Sequence, residues 1–228
     1  MSLEDLYYVL NRLMSISQEE IKKMVERRRL IVGISGATGI VYGIRLLQML
    51  KKTDVESHLV VSKASYKTLT FETDMTAEEL RSLADVTYPT CDIGAAISSG
   101  SFKTMGMVIA PCSIRTMSEI ASGVTSNLLT RAADVVLKER RRLVLMVRET
   151  PLHVGHLKSM LAVTENGGII APPVPAFYIC PETLDDIINH TVGRVLDLFD
   201  TEVGSIKRWG EDINGHVLKQ DQKKVASQ

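Results

Sequence analysis

The chain has 228 residues, of which 45% are hydrophobic and 24% charged. That usage is ordinary for a globular protein and excludes a chain disordered throughout, a collagen-like repeat and a disulfide-stapled miniprotein. Lys plus Arg and Asp plus Glu each number 27, so no global field draws the molecule onto nucleic acid or an anionic membrane.

Residues 1–29 read as a helical extension. Leu3, Leu6, Tyr7, Leu10, Leu13 and Met14 recur at helical spacing, and Ser17 with Glu20 forms a capping box for a second helix. That helix ends in Glu26-Arg27-Arg28-Arg29, a charge run that reads first as a solvated face and only weakly as a nucleic-acid or lipid patch. From Leu30 the rhythm changes to short apolar strands alternating with helices. Strands are expected at Leu30–Ile34, Val55–Val61, Met105–Ala110, Leu143–Val147 and Gly168–Ala171. Helices are expected from Ile40 to Leu50, from Ala64 to Phe71 and after the Thr76–Glu79 capping box. Two more lie between Met117 and Glu139, broken near Gly123, and the last run from Leu152 to Thr164 and from Leu184 to Phe199. Such alternation implies right-handed βαβ units and a parallel sheet, an α/β fold. The α/β domain is placed at residues 30–210 and a polar tail at 211–228.

Cys91, Cys112 and Cys180 form no CxxC pair, the amino terminus lacks signal-peptide order, and no stretch reaches the ~18 apolar residues of a membrane span. A reduced, cytoplasmic protein is expected. His58, His153, His156, His190 and His216 include no HExxH or other recognised metal pair, and His153 with His156 lacks a third ligand.

Ligands of open α/β sheets sit at the carboxyl ends of the strands, so the segments after each strand hold the candidates. Gly33-x-x-Gly36-x-x-Gly39 follows the first strand, where close backbone approach and a helix amino terminus with free N–H groups suit a phosphate. The spacing is not GxGxxG and Ser62-Lys63, not an acid, ends the second strand. A mononucleotide therefore fits better than NAD, and a ligand-free turn fits equally well. Pro111-Cys-Ser-Ile-Arg-Thr116 makes a second polar cradle or a plain cap. Ile97-Ser-Ser-Gly-Ser101 suits either a planar ring or a linker. Arg148-Glu149 ends an apolar strand, where a charged pair is costly unless it faces a ligand crevice. The proline-stiffened Pro172–Tyr178 segment presents Tyr178 as a held contact or a packed loop.

Taken in order, eight segments resemble the UbiX-like flavin prenyltransferases: Gly33–Gly39, His58–Lys63, Glu72–Asp74, Ile97–Phe102, Pro111–Thr116, Arg131–Arg140, Arg148–Pro151 and Pro172–Tyr178. The resemblance runs from about Arg29 to Trp209. It implies a Rossmann-like or flavodoxin-like α/β subunit, with helices on both faces of the sheet, in a homo-oligomer, a dodecamer built of trimers, that joins a dimethylallyl group from dimethylallyl monophosphate to N5 and C6 of reduced FMN. The product, prenylated FMN, would serve a UbiD-type decarboxylase, as in ubiquinone synthesis, and no metal is implied. It further implies that FMN lies against Gly36, Ala37, Thr38, Ser62, Ser113, Ile114, Arg115, Thr116 and Arg148. The prenyl phosphate would meet Lys138, Arg148, Tyr178 and Arg194, with Arg131 reaching in from a neighbouring subunit, and Glu149 would be the acid/base residue. Those types suit the chemistry, because charge builds on a departing phosphate and cationic donors offset it. Thr38 stands where many family members have Ser, which keeps the hydroxyl. Trp209 either covers the site or packs.

Two other readings share much of this pattern. An FMN-dependent decarboxylase of the cysteine-decarboxylase type would carry a histidine, a Pro-Ala-Ser-Ala-Asn-type loop and a Met-Asn clamp. Here no histidine falls between Ser62 and Pro111, and the loop reads Pro-Cys-Ser-Ile-Arg-Thr. A non-catalytic carrier of prenylated FMN would bind flavin without needing Glu149.

Overall fold

The structure, a computed structural model, describes residues 28–204 and 206–208. The helices expected up to residue 27, the tail at 211–228 and Trp209 lie outside the described residues, whereas Arg29, expected to close the second of those helices, is instead the first residue of a strand. Six strands form one parallel sheet: β1 (Arg29–Ile34), β2 (Glu56–Val61), β3 (Val86–Tyr88), β4 (Gly106–Cys112), β5 (Arg142–Val147) and β6 (Ile169–Ile170). Among the described residues seven α-helices accompany them: α1 (Ile40–Leu50), α2 (Lys63–Glu72), α3 (Ala77–Ser82), α4 (Ile114–Ala121), α5 (Leu128–Lys138), α6 (Val154–Glu165) and α7 (Leu184–Asp197). The expected strand and helix alternation is present.

The sheet order is β3-β2-β1-β4-β5-β6. The chain winds outward from β1 to one edge, then returns beside β1 and winds to the other. The switch in direction falls between β1 and β4, and there the loops beyond the two strands part and leave a crevice.

Alternation along the buried strands divides the core into two layers. Leu30, Val32 and Ile34 of β1, with Val108, Val144 and Met146, meet α1 and α7 on one face. Ile31, Met107, Ile109, Leu143 and Leu145 meet α4 and α5 on the other. Each of these side chains is 0–1% exposed, and burying one contributes about 1.5–3 kcal/mol. This two-sided burial explains why the strands read as continuous apolar runs.

Strand β3 departs from the expectation, which placed no strand between Val61 and Met105. Its three residues, Val-Thr-Tyr, alternate half-buried and exposed at the sheet edge, so no apolar run marks them. Helix α4 also begins earlier than expected, at Ile114, because Ser113 caps it by accepting from the Thr116 N–H.

Candidate flavin site

Four of the strands end in a buried apolar residue followed directly by a polar one: Ser35 after β1, Ser62 after β2, Ser113 after β4 and Arg148 after β5. The three serines organise the crevice. Ser35, 1% exposed, donates its Oγ hydrogen to the Pro111 carbonyl at 3.1 Å and accepts from the Ser113 N–H at 2.7 Å. That ties the tips of β1 and β4 together across the switch. Ser62 and Ser113 are the N-caps of α2 and α4, with the Ser65 and Thr116 N–H groups donating to their hydroxyls. The first N–H groups of these helices, at Lys63 and Ala64 and at Ile114 and Arg115, have no intrahelical acceptor. They form two positive helix ends beside one cavity.

That cavity measures about 780 Å³ and is lined by Gly36, Ser62, Ser113, Ile114, Arg115, Thr116 and Glu149, all expected for the site. Lys63, Ala64, Thr90, Cys91, Ile93, Glu119, Ser126 and Asn127 complete its wall. Sequence reasoning missed these. Thr90 to Ile93 follow the unrecognised β3, and Asn127 is the N-cap of α5, a signal that was available in the Ser-Asn pair before an apolar helix. Gly36 is essential to the shape: a Cβ there would lie 2.4 Å from the Cβ of Ala64. A volume in the range of small-molecule pockets, a wall without a side chain and two helix amino termini fit a mononucleotide such as FMN.

One expectation is corrected. The amino terminus of α1 does not offer free N–H groups to a phosphate. The Glu72 carboxylate accepts from the Gly39 N–H at 2.8 Å and the Ile40 N–H at 3.0 Å, while Gly39 turns the chain at φ 92°. The helix end is thus already neutralised, and the open donors belong to α2 and α4.

Ala37 and Thr38 continue the β1 loop beyond Gly36 without lining the cavity; the Ala37 N–H donates to the Ser35 carbonyl. Arg115 is mostly exposed and pairs with Glu119 at 2.9 Å, which also accepts from Ser126 Oγ at 2.6 Å. Arg148 is exposed beside Tyr42, whose hydroxyl is pushed to a higher pKa by burial, with the Arg148 charge opposing. Glu149 is exposed, and one of its carboxylate oxygens accepts from the Thr150 N–H at 3.1 Å. The Arg148-Glu149 pair therefore escapes the burial cost by lying at the rim.

The residues expected for the prenyl phosphate do not line this cavity within one chain. Arg131 and Lys138 lie on α5, paired with Asp134 at 2.8 Å and Glu139 at 2.6 Å. Tyr178 and Arg194 lie elsewhere: Tyr178 Oη is 3.2 Å from His190 Nε2, and Arg194 pairs with Asp197 at 2.5 Å on α7. Of the other expected features, His153 and His156 stack at 3.6 Å as the capping pair of α6. Among the described residues, no group of three metal-ligating side chains occurs and no helix is long and apolar enough to cross a membrane.

Comparison with known proteins decides the lineage. Residues 18–203 match the Flavoprotein family model. The chain is 63% identical over 173 residues to flavin prenyltransferase UbiX of Escherichia coli K12, covering 75% of this chain and 92% of that protein. This chain belongs to the UbiX flavin prenyltransferase family. The crystal structure of AnUbiX (PadA1) in complex with FMN and dimethylallyl pyrophosphate superimposes with a TM-score of 0.80 at 49% identity, covering 81% of this chain and 98% of that one. A dodecameric FMN-dependent UbiX-like decarboxylase of Escherichia coli O157:H7 does so with a TM-score of 0.78 at 49% identity, covering 79% and 98%. The expected fold and family are both borne out.

Proposed function

We infer that this UbiX family member is a flavin prenyltransferase that joins the dimethylallyl group of dimethylallyl monophosphate to reduced FMN and releases inorganic phosphate. One observation carries the reading: at the sheet's switch point, a flavin-sized cavity has two helix amino termini on its walls and an exposed rim carboxylate, Glu149, after β5. Reduced FMN supplies the nucleophilic N5 and C6 that take up the five-carbon group.

The chain's own residues do the rest. Gly36, Ala37, Thr38, Ser62, the Ser113–Thr116 turn and Arg148 hold the flavin, with helix N–H groups meeting its phosphate. Arg131, Lys138, Arg148, Tyr178 and Arg194 hold the prenyl phosphate and offset the charge that gathers on it as the C–O bond breaks. Glu149 takes and returns the proton, as an exposed carboxylate within reach of the cavity can.

This assignment needs neighbouring copies, since Arg131 with Lys138 and Tyr178 with Arg194 occupy different surfaces of one chain. We place them together in a homododecamer of trimers. Large apolar side chains support such burial: Val154, Leu157 and Leu161 on one stripe of α6, and Val174, Phe177 and Leu184, are 52–78% exposed. The prenylated FMN then passes to a UbiD-type decarboxylase, as in ubiquinone synthesis, and the enzyme works in the cytoplasm.

The test is anaerobic turnover with reduced FMN and dimethylallyl monophosphate, following inorganic phosphate. Release that requires both substrates supports the reading; release without flavin, or none at all from flavin-binding protein, overturns it. Family membership favours this reading over a cysteine-decarboxylase type, and Glu149→Gln separates it from a carrier.

A further inference from the structure

Two carboxylates lie on the cavity wall, and the reading above uses only Glu149. The other, Glu119, stands one turn beyond Arg115 on α4, with a side chain 16% exposed where that of Arg115 is 83% exposed. Both of its oxygens are engaged. One accepts from Arg115 Nε at 2.9 Å and the other from Ser126 Oγ at 2.6 Å. Ser126 Oγ in turn accepts from Asn127 Nδ2 at 3.0 Å, and Asn127 caps α5. The carboxylate is thus fixed where α4 meets the start of α5, on the wall of a site read as holding a phosphate.

We propose that Glu119 is a specificity-determining counter-charge: it neutralises Arg115 on the cavity wall and keeps the hold on the FMN phosphate weak enough for flavin exchange. This rests on the reading of the cavity as an FMN site. The charged side chains on the wall are Lys63, Arg115, Glu119 and Glu149, two of each sign, so the wall's side chains are neutral in sum. Attraction for the phosphate is left to the amino termini of α2 and α4. An arginine already paired has less to give a phosphate, because the carboxylate competes for the same guanidinium. Such restraint suits a reaction in which flavin is both substrate and product. Tighter binding of the ground state lowers KM without raising turnover, and it delays release of the product.

The size of the effect follows from distance. A round cavity of about 780 Å³ is ~11 Å across, close to one Debye length at about 0.1 M salt, so the charge is felt across it. One unit charge acting on a phosphate of about −1.5 to −2, over ~8–11 Å of water, changes its binding about 3–6-fold. Release of Arg115 from its partner adds to this, since the whole guanidinium then serves the phosphate.

The experiment titrates FMN, and riboflavin, which lacks the phosphate, into wild type, Glu119→Gln and Glu119→Asp. Flavin fluorescence is followed at about 20 mM and about 0.5 M salt, on either side of the screening range. Gln keeps an acceptor for Ser126 and removes the charge, whereas Asp keeps the charge on a shorter arm. At low salt Glu119→Gln should bind FMN about 3–10 times more tightly than wild type, with riboflavin within about twofold. The gain for FMN should shrink at high salt. Glu119→Asp should stay within about twofold of wild type for FMN. A residue that only holds α4 against the following loop would weaken both flavins alike and lower the melting midpoint. That result overturns the proposal while leaving the function intact. So does unchanged FMN binding in Glu119→Gln, equal tightening of FMN and riboflavin, or FMN bound as tightly by Asp as by Gln. Wild-type protein that binds FMN no better than riboflavin defeats the phosphate site itself, and the proposal with it.

Discussion

Gly36→Ala is the sharpest test of how the flavin cavity is shaped. Gly36 has no left-handed φ, so the substitution acts through space alone. The new Cβ would lie 2.4 Å from the Ala64 Cβ and 3.3 Å from the Ala64 carbonyl carbon. Carbon atoms rest at ~3.5–4.0 Å, so the β1 loop and the start of α2 must part by about 1 Å. Neither side is flexible: Ala64 has no rotamer to change, and Ser62 caps the helix it belongs to. Overpacking of this kind costs roughly 1–3 kcal/mol, and both displaced segments line the cavity. FMN affinity should therefore fall about 5–150-fold, read by titrating FMN and following the quenching of its fluorescence. Ala64→Gly on the same background removes the opposing methyl. The double variant should recover most of the affinity, while losing up to about 1 kcal/mol of stability because glycine weakens a helix. Wild-type affinity in Gly36→Ala, or no recovery in the double variant, would refute the reasoning.

Further consequences concern chemistry, packing and acid. Glu149→Gln should keep FMN affinity within about threefold and lower turnover about 10²–10⁴-fold, as loss of a proton-transfer group does; unchanged turnover would take Glu149 out of the proton transfer. Ser35→Ala deletes a bond to Pro111 and strands the Ser113 N–H at the sheet switch, which should cost about 1–3 kcal/mol. Its melting midpoint should drop about 2–4 °C per kcal/mol, and no drop would contradict the bridging role. On acidification, stability should fall in two stages. Burial holds the His58 pKa below 6.5 against the pull of Glu56, so the unfolded chain takes up its proton first and stability declines as pH falls past about 6.5. Burial raises Glu56 and Asp85, but hydrogen bonds from His58 and Arg29, and from Ser57, outweigh it and leave both lowered, so their share is lost below about 4.5 and 3.8. Melting midpoints should show the first decline in wild type and a flatter one in His58→Gln; equal slopes would remove His58 from the account.

Most of the fold was legible because a parallel sheet buries both faces. Leu30–Ile34 and Leu143–Val147 are apolar without interruption, and the capping pair Thr76–Glu79 forms as its spacing requires. Strand β3 was illegible for the converse reason: an edge strand of three residues buries too little to leave a pattern. The cavity was legible at Gly36, Ser62, Ser113 and Glu149, since each follows a readable strand. Thr90, Cys91 and Ile93 were lost with β3. The role of Glu72 was illegible, since a long-range carboxylate on the end of α1 leaves no local signal and yet decides which helix ends remain open. The Tyr178–His190 contact was equally hidden, because the two lie twelve positions apart across a turn whose path the sequence does not specify.

The central claim is that this cavity brings a reduced flavin and an allylic phosphate together and joins them. Mass analysis of the flavin after anaerobic incubation with reduced FMN and dimethylallyl monophosphate tests it most directly. The account predicts FMN heavier by one five-carbon unit. Recovery of unmodified FMN from folded protein that binds it would contradict the account.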